Sequence, residues 1–449
     1  MKAAFHTFGC KLNQYETEAL ASAFTDQGFS LVGSDQPADV YLINTCTVTT
    51  KSEQKARRLI RKISRENPEA LLVVTGCYAQ LNPEQLAVLG ENIHVVSQER
   101  KASLLELPRM LQQRGIESYK AGGGAIDRRE VSIDPFGYRV RRFSYHSRAF
   151  LKVQDGCDYG CSYCRVPLAR GRSVSLEPEE AVRRAVRLEQ SGYREVVLTG
   201  VNLTAYRYGD SDLSTLLAGI LARTQGLRLR LSSLEPEMIN SQLTEVIRDP
   251  RVRPHFHLPI QSGSDRVLLS MRRRYRAEQV ARAVELLRCV KHDPFLAADV
   301  IVGFSGETDS DFRASYELVE SLGFSKLHVF PFSPRPGTDA EHPRYPVPER
   351  IRDERAHELL ALSRSLLESY TNRWNGKTVE VVLEVPGKGV PGKGAPGKGA
   401  PGAWRGLSEN YLRVLTRDVA PDASRAGYLI RAMIQQPGDP CRAVFVGTP

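Results

Sequence analysis

Residues 148–172 read RAFLKVQDGCDYGCSYCRVPLARGR, and this stretch governs how the rest of the chain is read. Three cysteines, Cys157, Cys161 and Cys164, follow an apolar, strand-like run at 150–154 that ends on Asp155-Gly156. Their spacing is C-x3-C-x2-C, with Gly160 inside the loop. Three thiolates on one tight loop can hold three irons of a [4Fe–4S] cube and leave the fourth iron open. An open iron can take an amine and a carboxylate, which S-adenosylmethionine offers, and an electron from the cluster can then cleave that ligand. A structural zinc site is the plainer alternative, but it usually takes four ligands in two spaced pairs. The next candidate here, His146, falls on the far side of the strand. Three cysteines also cannot pair evenly as disulfides.

The aromatic before the last cysteine, Tyr163, can pack beside an adenine ring. With it the loop reads C-x3-C-x-aromatic-C, and the stretch resembles the radical S-adenosylmethionine (SAM) enzymes, whose signature this is.

The totals set bounds. The chain has 449 residues, room for two or three domains with their own cores. Lys plus Arg is 62 against 52 for Asp plus Glu, a net charge of +10 that tilts toward a polyanionic partner. The first residues, MKAAFHTFGCKLNQYE, meet polar side chains at once and do not read as a signal peptide. No apolar run is long enough to predict a membrane span. Eight cysteines without secretion signals fit a reducing cytosol, so the expected location is cytoplasmic, with no membrane partner.

In residues 1–120, strand-like runs at 3–8, 39–45, 70–75 and 93–97 alternate with helical patterns at 16–27, 52–66 and 83–89. This predicts an open parallel α/β sheet with helices on both faces. Three of its strands end on a cysteine: FGC at Cys10, NTC at Cys46 and TGC at Cys77. Ligands gather at the carboxyl ends of such strands, so the three should converge on one site. Isolated buried cysteines are the plainer reading of any one of them. Taken together they read as a second three-cysteine iron–sulfur site.

Residues 121–142, with Gly122-Gly123-Gly124, read as a linker with little structure of its own. Across 143–372 strand and helix alternate six times, with strands at 150–154, 195–199, 228–232, 255–259, 297–303 and 326–332. That predicts a partial (β/α)6 barrel, open rather than closed eightfold. Its strand-end loops are small and polar. They offer Gly200, Asn202, Ser232, Gln261, Ser262 and Gly303, with Tyr163, as a cradle for the cofactor's amine, carboxylate and ribose. A charged helix at 346–372 leads to 373–449, where short strands suggest a small β-barrel of a kind that often binds nucleic acid. A low-complexity run at 386–404, PGKGVPGKGAPGKGAPGAW, is expected to be a disordered insertion. Cys289 and Cys441 belong to neither group and read as structural or incidental.

The pieces TFGCKLNQYETEAL, INTCTVT, VTGCYAQ, QDGCDYGCSYC, PLARGR, LTGVN, HLPIQSGSD, ADVIVGF and HVFPFSPRPGT together resemble the radical SAM methylthiotransferases over nearly the whole chain. That resemblance implies an N-terminal auxiliary-cluster region, a radical SAM core and a C-terminal TRAM-like barrel. It implies two [4Fe–4S] clusters, one on Cys157, Cys161 and Cys164, the other on Cys10, Cys46 and Cys77. It implies S-adenosylmethionine as cofactor and an electron donor such as flavodoxin or ferredoxin. GCKLNQYET and HVFPFSPRPGT look most like the branch acting on N6-threonylcarbamoyladenosine beside the anticodon of tRNA. Other branches act on isopentenyladenosine in tRNA or on a ribosomal protein. The implied reaction places a methylthio group on C2 of the adenine. Reductive cleavage of SAM yields a radical that abstracts the C2 hydrogen. The auxiliary cluster delivers sulfur, and a second SAM supplies the methyl group. No acid–base side chain can do this, because an aromatic C–H is far too weak an acid. The anticodon loop is single-stranded, so its base can be splayed into a pocket. Arg170, Arg172 and Arg272-Arg273-Arg274 are candidate phosphate contacts, against the plainer reading of a solvated charged face. Two readings of other classes stand beside this one: a radical enzyme acting on a protein, and a non-catalytic RNA-binding protein whose cysteines hold zinc.

Overall fold

A computed structural model describes residues 1–121, 134–140, 143–384, 404–417, 419 and 427–449. The N-terminal sheet holds β1 (Lys2–Thr7), β2 (Ser30–Val32), β3 (Val40–Thr45), β4 (Leu71–Gly76) and β5 (Ile93–Val95), all parallel, in the order β2-β1-β3-β4-β5. VYLINT and LLVVTG are buried at every position, as strands covered on both faces must be. Helices α1 (Lys11–Asp26) and α3 (Leu107–Ala121) cover one face, with Leu20, Phe24 and Leu111 packing on Phe5, Leu42 and Val73. On the other face α2 (Thr50–Glu66) sets Ala56, Ile60 and Ile63 against Tyr41, Ile43 and Val74. Thr49 caps α2 by accepting from the Ser52 N–H at 3.2 Å. Helix α1 starts at Lys11, five residues before the helical pattern suggested. Its first turn follows Cys10 directly and carries no side-chain cap to mark it.

The central strands are β6 (Ala149–Lys152), β7 (Glu195–Thr199), β8 (Arg228–Leu231), β9 (His255–Gln261), β10 (Phe295–Val302) and β11 (Lys326–Pro331). They form two parallel three-stranded sheets, β8-β7-β6 and β9-β10-β11, joined by bridges Leu229–Val252 and Ser233–His257. The result is a half-barrel with β6 and β11 at its edges. Outside lie α4 (Pro178–Gln190), α5 (Leu213–Arg223), α6 (Ser241–Ile247), α7 (Ala277–Val290) and α8 (Asp309–Ser321). Leu258, Ala298, Val300 and Leu327 share one core with these helices, so the alternate residues face the lumen. The α1 helix packs against edge strand β6.

Helix α9 (Glu349–Asn372) leads to β12 (Thr378–Leu383), β13 (Trp404–Ser408), β14 (Arg413–Arg417), β15 (Leu429–Gln436) and β16 (Cys441–Gly447). They close a barrel in the order β12-β13-β14-β16-β15. Trp404, read as the end of the low-complexity run, instead opens β13; residues 386–403 of that run lie outside the described residues. The supposed linker also needs correcting. Phe136 and Tyr138 are buried in the central core, where Tyr15 donates to the Tyr138 carbonyl at 2.8 Å. The rest of it, 122–133 with the three glycines and 141–142, lies outside the described residues. Among the described residues no helix is long and apolar enough to cross a membrane.

The small barrel covers the amino ends of the half-barrel strands. Tyr411 stacks on His255, ring centroids 3.8 Å apart. Arg230 donates to the carbonyls of Ser408 and Glu409 at 3.0 and 3.1 Å, and Arg253 to Glu380 at 2.8 Å. Between the two arginines sits Glu195, fully buried, accepting from Arg230 at 2.7 Å and Arg253 at 3.0 Å. Burial opposes its charge, but the two guanidiniums prevail and lower its pKa to about 2. A carboxyl depressed on folding stabilises above its unfolded pKa and loses that contribution as pH falls through the folded value. Glu195→Gln is therefore expected to cost on the order of 3 kcal/mol at neutral pH. The gap to wild type should hold down to about pH 4.5 and close toward about pH 2. Urea unfolding across that range checks it; a gap that stays constant below pH 4 would refute the assignment.

Candidate active site

Three polypeptide turns carry the first cysteine group together. In register, Thr7 pairs with Asn44 and Thr45 with Gly76, so the chain leaves β1, β3 and β4 at one edge. Cys46 and Cys77 follow their strands directly, and Cys10 follows β1 after Phe8-Gly9. Gly9 has φ +96°, and a Cβ there would stand 2.8 Å from the Cys46 sulfur. Gly76 has φ +102°, and a Cβ there would stand 2.3 Å from the Thr45 carbonyl oxygen. Both glycines are needed for the turns to close this tightly. Burial pushes the Cys46 thiol up to about 12, with Cys10 and Cys77 adding to the shift, and burial likewise raises Cys77. Without a cation these thiols keep their protons; an iron centre supplies the positive charge that thiolates need.

The second group lines one concave pocket of about 420 Å³, which holds Cys157, Cys161 and Cys164 with Gly160 and Thr338. N–H groups already point at its sulfurs. Tyr159 N–H donates to Cys157 at 3.4 Å, Val166 N–H to Cys164 at 3.5 Å, and the Arg273 guanidinium to Cys161 at 3.3 Å. Donors to sulfur of this kind tune a cluster's potential. Burial raises Cys164 to about 12. Both trios thus fit iron–sulfur ligation by donor set and placement.

The cradle for SAM is mixed. At the carboxyl ends of β7 and β8, Asn202 Nδ2 and Ser232 Oγ are buried without a hydrogen-bond partner, as groups awaiting a polar ligand would be. Gly200 backs onto Gln154, whose Oε1 accepts from the Asn202 N–H at 3.0 Å. Gln261 has φ +60°, an uncommon left-handed residue at the end of β9. Tyr163 lies edge-on to Phe304 at 6.3 Å, at the top of the lumen beside Ile301. Two expected members are engaged elsewhere. Ser262 Oγ bonds Ser315 at 3.1 Å, and Gly303 lies against Arg352, where a Cβ would collide.

The arginines also need correction. Arg170 is not available to phosphate: it is buried and donates to Asp155 at 2.9 Å, Glu16 at 3.1 Å and Asn13 at 2.6 Å. Arg273 is buried against Glu235 and Tyr275. Arg172 and Arg272 remain exposed, and Arg274 lies 4.1 Å over the Tyr159 ring. Around Glu16 also gather Lys101 at 2.6 Å and Lys152 at 3.0 Å. Burial resists the Glu16 charge, yet Arg170, Lys101 and Lys152 hold the carboxyl well below its usual range. This knot joins α1, which follows Cys10, to Asp155, which precedes Cys157. A second knot joins the other two turns. Arg165, next to Cys164, donates to Thr47, next to Cys46, at 3.0 Å and to Glu53 at 3.1 Å; Arg335 binds the same Thr47 and Glu53. These buried pairs escaped sequence reading because most of their partners are far apart in the chain, 154 residues for Arg170–Glu16 and 112 for Arg165–Glu53.

Residues 2–97 match the uncharacterized protein family UPF0004, and 151–319 the radical SAM superfamily. The radical SAM methyltransferase TsrM of Kitasatospora setae, solved with cobalamin and a [4Fe-4S] cluster, superposes with a TM-score of 0.52. That match spans 76% of this chain and 74% of TsrM at 16% identity, a likeness of fold alone. Half-barrel, cysteine loop and superfamily match together define a radical SAM enzyme, with a [4Fe–4S] cluster and SAM as its cofactors. The threonylcarbamoyladenosine tRNA methylthiotransferase MtaB of Treponema pallidum (strain Nichols) is 39% identical over 96% of this chain and 98% of its own length. Its counterpart in Bacillus subtilis (strain 168) is 36% identical over 97% and 94%. The chain belongs to this methylthiotransferase family and is a transferase.

Proposed function

We propose that the chain methylthiolates C2 of N6-threonylcarbamoyladenosine beside the anticodon of tRNA, giving the 2-methylthio derivative. What carries this reading is the pairing of two three-cysteine sites across one barrel mouth, joined by two buried ionic knots. A one-site radical enzyme needs only the second. Relatives named for this activity over nearly the full chain support the substrate. We assign Cys157, Cys161 and Cys164 to the cluster that binds SAM, and Cys10, Cys46 and Cys77 to the auxiliary cluster. When bound, these groups supply one-electron cleavage of SAM and a transferable sulfur. The chain's own part is placement. Asn202 and Ser232 orient the ligand at the strand ends, and Arg273 holds a positive charge against Cys161. The covered lower end keeps water from the reacting carbon. The chain divides for this work into 1–120, 143–372 and 373–449, the last a nucleic-acid contact. An exogenous one-electron donor completes the cycle.

The reading is tested by nucleoside mass spectrometry of tRNA from a strain lacking the gene, with and without the gene restored. The 2-methylthio-threonylcarbamoyl nucleoside is expected to vanish and return. If only the isopentenyl counterpart changes, the substrate assignment is wrong. If no nucleoside changes, tRNA is not the substrate.

A further inference from the structure

Asn13, three residues after Cys10, is fully buried, and its side-chain amide meets three partners. The nitrogen donates to the Phe8 carbonyl at 2.9 Å and to the Thr45 carbonyl at 3.0 Å. Phe8 follows β1 and opens the turn that carries Cys10; Thr45 ends β3, directly before Cys46. The oxygen accepts from Arg170 at 2.6 Å. Arg170 closes the short helix Val166–Arg170 that follows Cys164. Two carbonyls on one side and a guanidinium on the other allow the amide a single orientation. One side chain therefore binds two turns of the first cysteine group and the loop of the second.

The strand ladders do not reach this far. β1 and β3 pair up to Thr7 with Asn44, and β3 and β4 up to Thr45 with Gly76. Beyond those pairs side chains set the spacing of the turns. Thr45 Oγ1 donates to the Thr75 carbonyl at 2.6 Å and accepts from the Ala79 N–H at 3.3 Å, which fastens the Cys46 turn to both sides of Cys77. Asn44, also fully buried, donates to the Asn13 carbonyl at 3.0 Å and accepts from Lys101 at 3.0 Å, so Asn13 is held from behind. Leucine has nearly the shape of asparagine, but here it would leave two carbonyls and an arginine N–H unpaired in a dry interior. Aspartate would keep Arg170 and set an oxygen against two carbonyl oxygens.

We propose that Asn13 is the positioning residue of the auxiliary cluster. It sets the spacing of the Cys10 and Cys46 turns and, through Arg170, locks them to the half-barrel. This rests on the function proposed above. Sulfur transfer needs the sulfur-bearing site and the substrate carbon in one fixed geometry, and a displacement of about 1 Å can cost roughly 100-fold. The signature of a lost Asn13 is uncoupling: SAM is still cleaved, but fewer cleavages end in product.

The test uses the reconstituted full chain, SAM and an anticodon stem-loop RNA carrying threonylcarbamoyladenosine. For each variant the methylthio product is divided by the 5′-deoxyadenosine released. Asn13→Leu is expected to lower that ratio by about 10- to 100-fold, the range for removing a group that orients a metal ligand, while SAM cleavage persists. Arg170→Met should lower it too with the iron retained, because Glu16 and Asp155 stay balanced by Lys101 and Lys152. In a Cys157→Ala background, where the remaining iron reports the auxiliary site, Asn13→Leu should alter the electron paramagnetic resonance signal of the reduced cluster. Should Asn13→Leu not fold, Asn13→Asp makes the same comparisons. If both single variants keep the wild-type ratio, or if Asn13→Leu loses SAM cleavage in step with product, the assignment is wrong while the function stands. If wild type makes no methylthio product on this RNA, the function falls, and the resonance signal decides the rest: a signal untouched by Asn13→Leu overturns the positioning role as well, and an altered one upholds it.

Discussion

Cys46→Ala is expected to abolish methylthiolation while leaving cleavage of SAM to 5′-deoxyadenosine, whereas Cys157→Ala abolishes both. The asymmetry follows from the two sites. Cys157 sits with Cys161 and Cys164 in a concave pocket, on the half-barrel whose strand ends carry Asn202 and Ser232, polar groups left without partners. Cys46 sits among Gly9, Cys10 and Cys77, at the strand ends of the N-terminal sheet. Removing one of three thiolates from an iron site leaves an under-ligated cluster, so each variant should also lose about half its iron. The buried surroundings sharpen the effect, because alanine leaves a gap with no other soft ligand to fill it. Iron and sulfide analysis, 5′-deoxyadenosine release and nucleoside analysis separate the outcomes. If Cys46→Ala keeps its full iron content and its activity, the N-terminal trio is not a cluster site. If it loses SAM cleavage as completely as Cys157→Ala, the two sites do not divide the work as proposed.

How far the sequence led can be judged from particular residues. The three cysteines at strand ends were legible because alternating strand and helix patterns predict a parallel sheet, and parallel strands deliver their loops to one edge. The half-barrel was legible from six repeats of strand and helix. β2 and β13 were missed: the first has three residues, and the second begins with Trp404 straight after a proline–glycine–lysine run. Arg170 and Arg273 stood as candidate phosphate contacts against the reading of a solvated face, and both are instead buried in ion pairs. An arginine's partner is set by tertiary contact, and Glu16 lies 154 residues from Arg170. His328 stood inside a quoted motif, yet only the strand register shows which face of β11 carries it. The parity of β11 puts Leu327 on α9 and His328 opposite it.

The second large effect is expected at Glu16, where replacement by alanine should destabilise the chain by roughly 3–5 kcal/mol or more. Glu16 and Asp155 together oppose Lys101, Lys152 and Arg170, all of them buried. Two carboxylates against three cations already leave one positive charge, set near Cys10 and Cys77. Removing Glu16 leaves Lys101 with no carboxylate partner and raises the excess by one. A buried pair is worth little over an apolar substitute, but a buried charge stripped of its partner is expensive. The double variant Glu16→Met, Lys101→Met should therefore recover part of the loss, which a merely steric role for Glu16 would not allow. Because folding depresses the Glu16 carboxyl, its contribution is present at neutral pH and fades as pH falls below the usual carboxylate range. Urea unfolding at pH 7 decides the matter: a single variant within about 0.5 kcal/mol of wild type would mean that the knot does not hold the two halves of the site together.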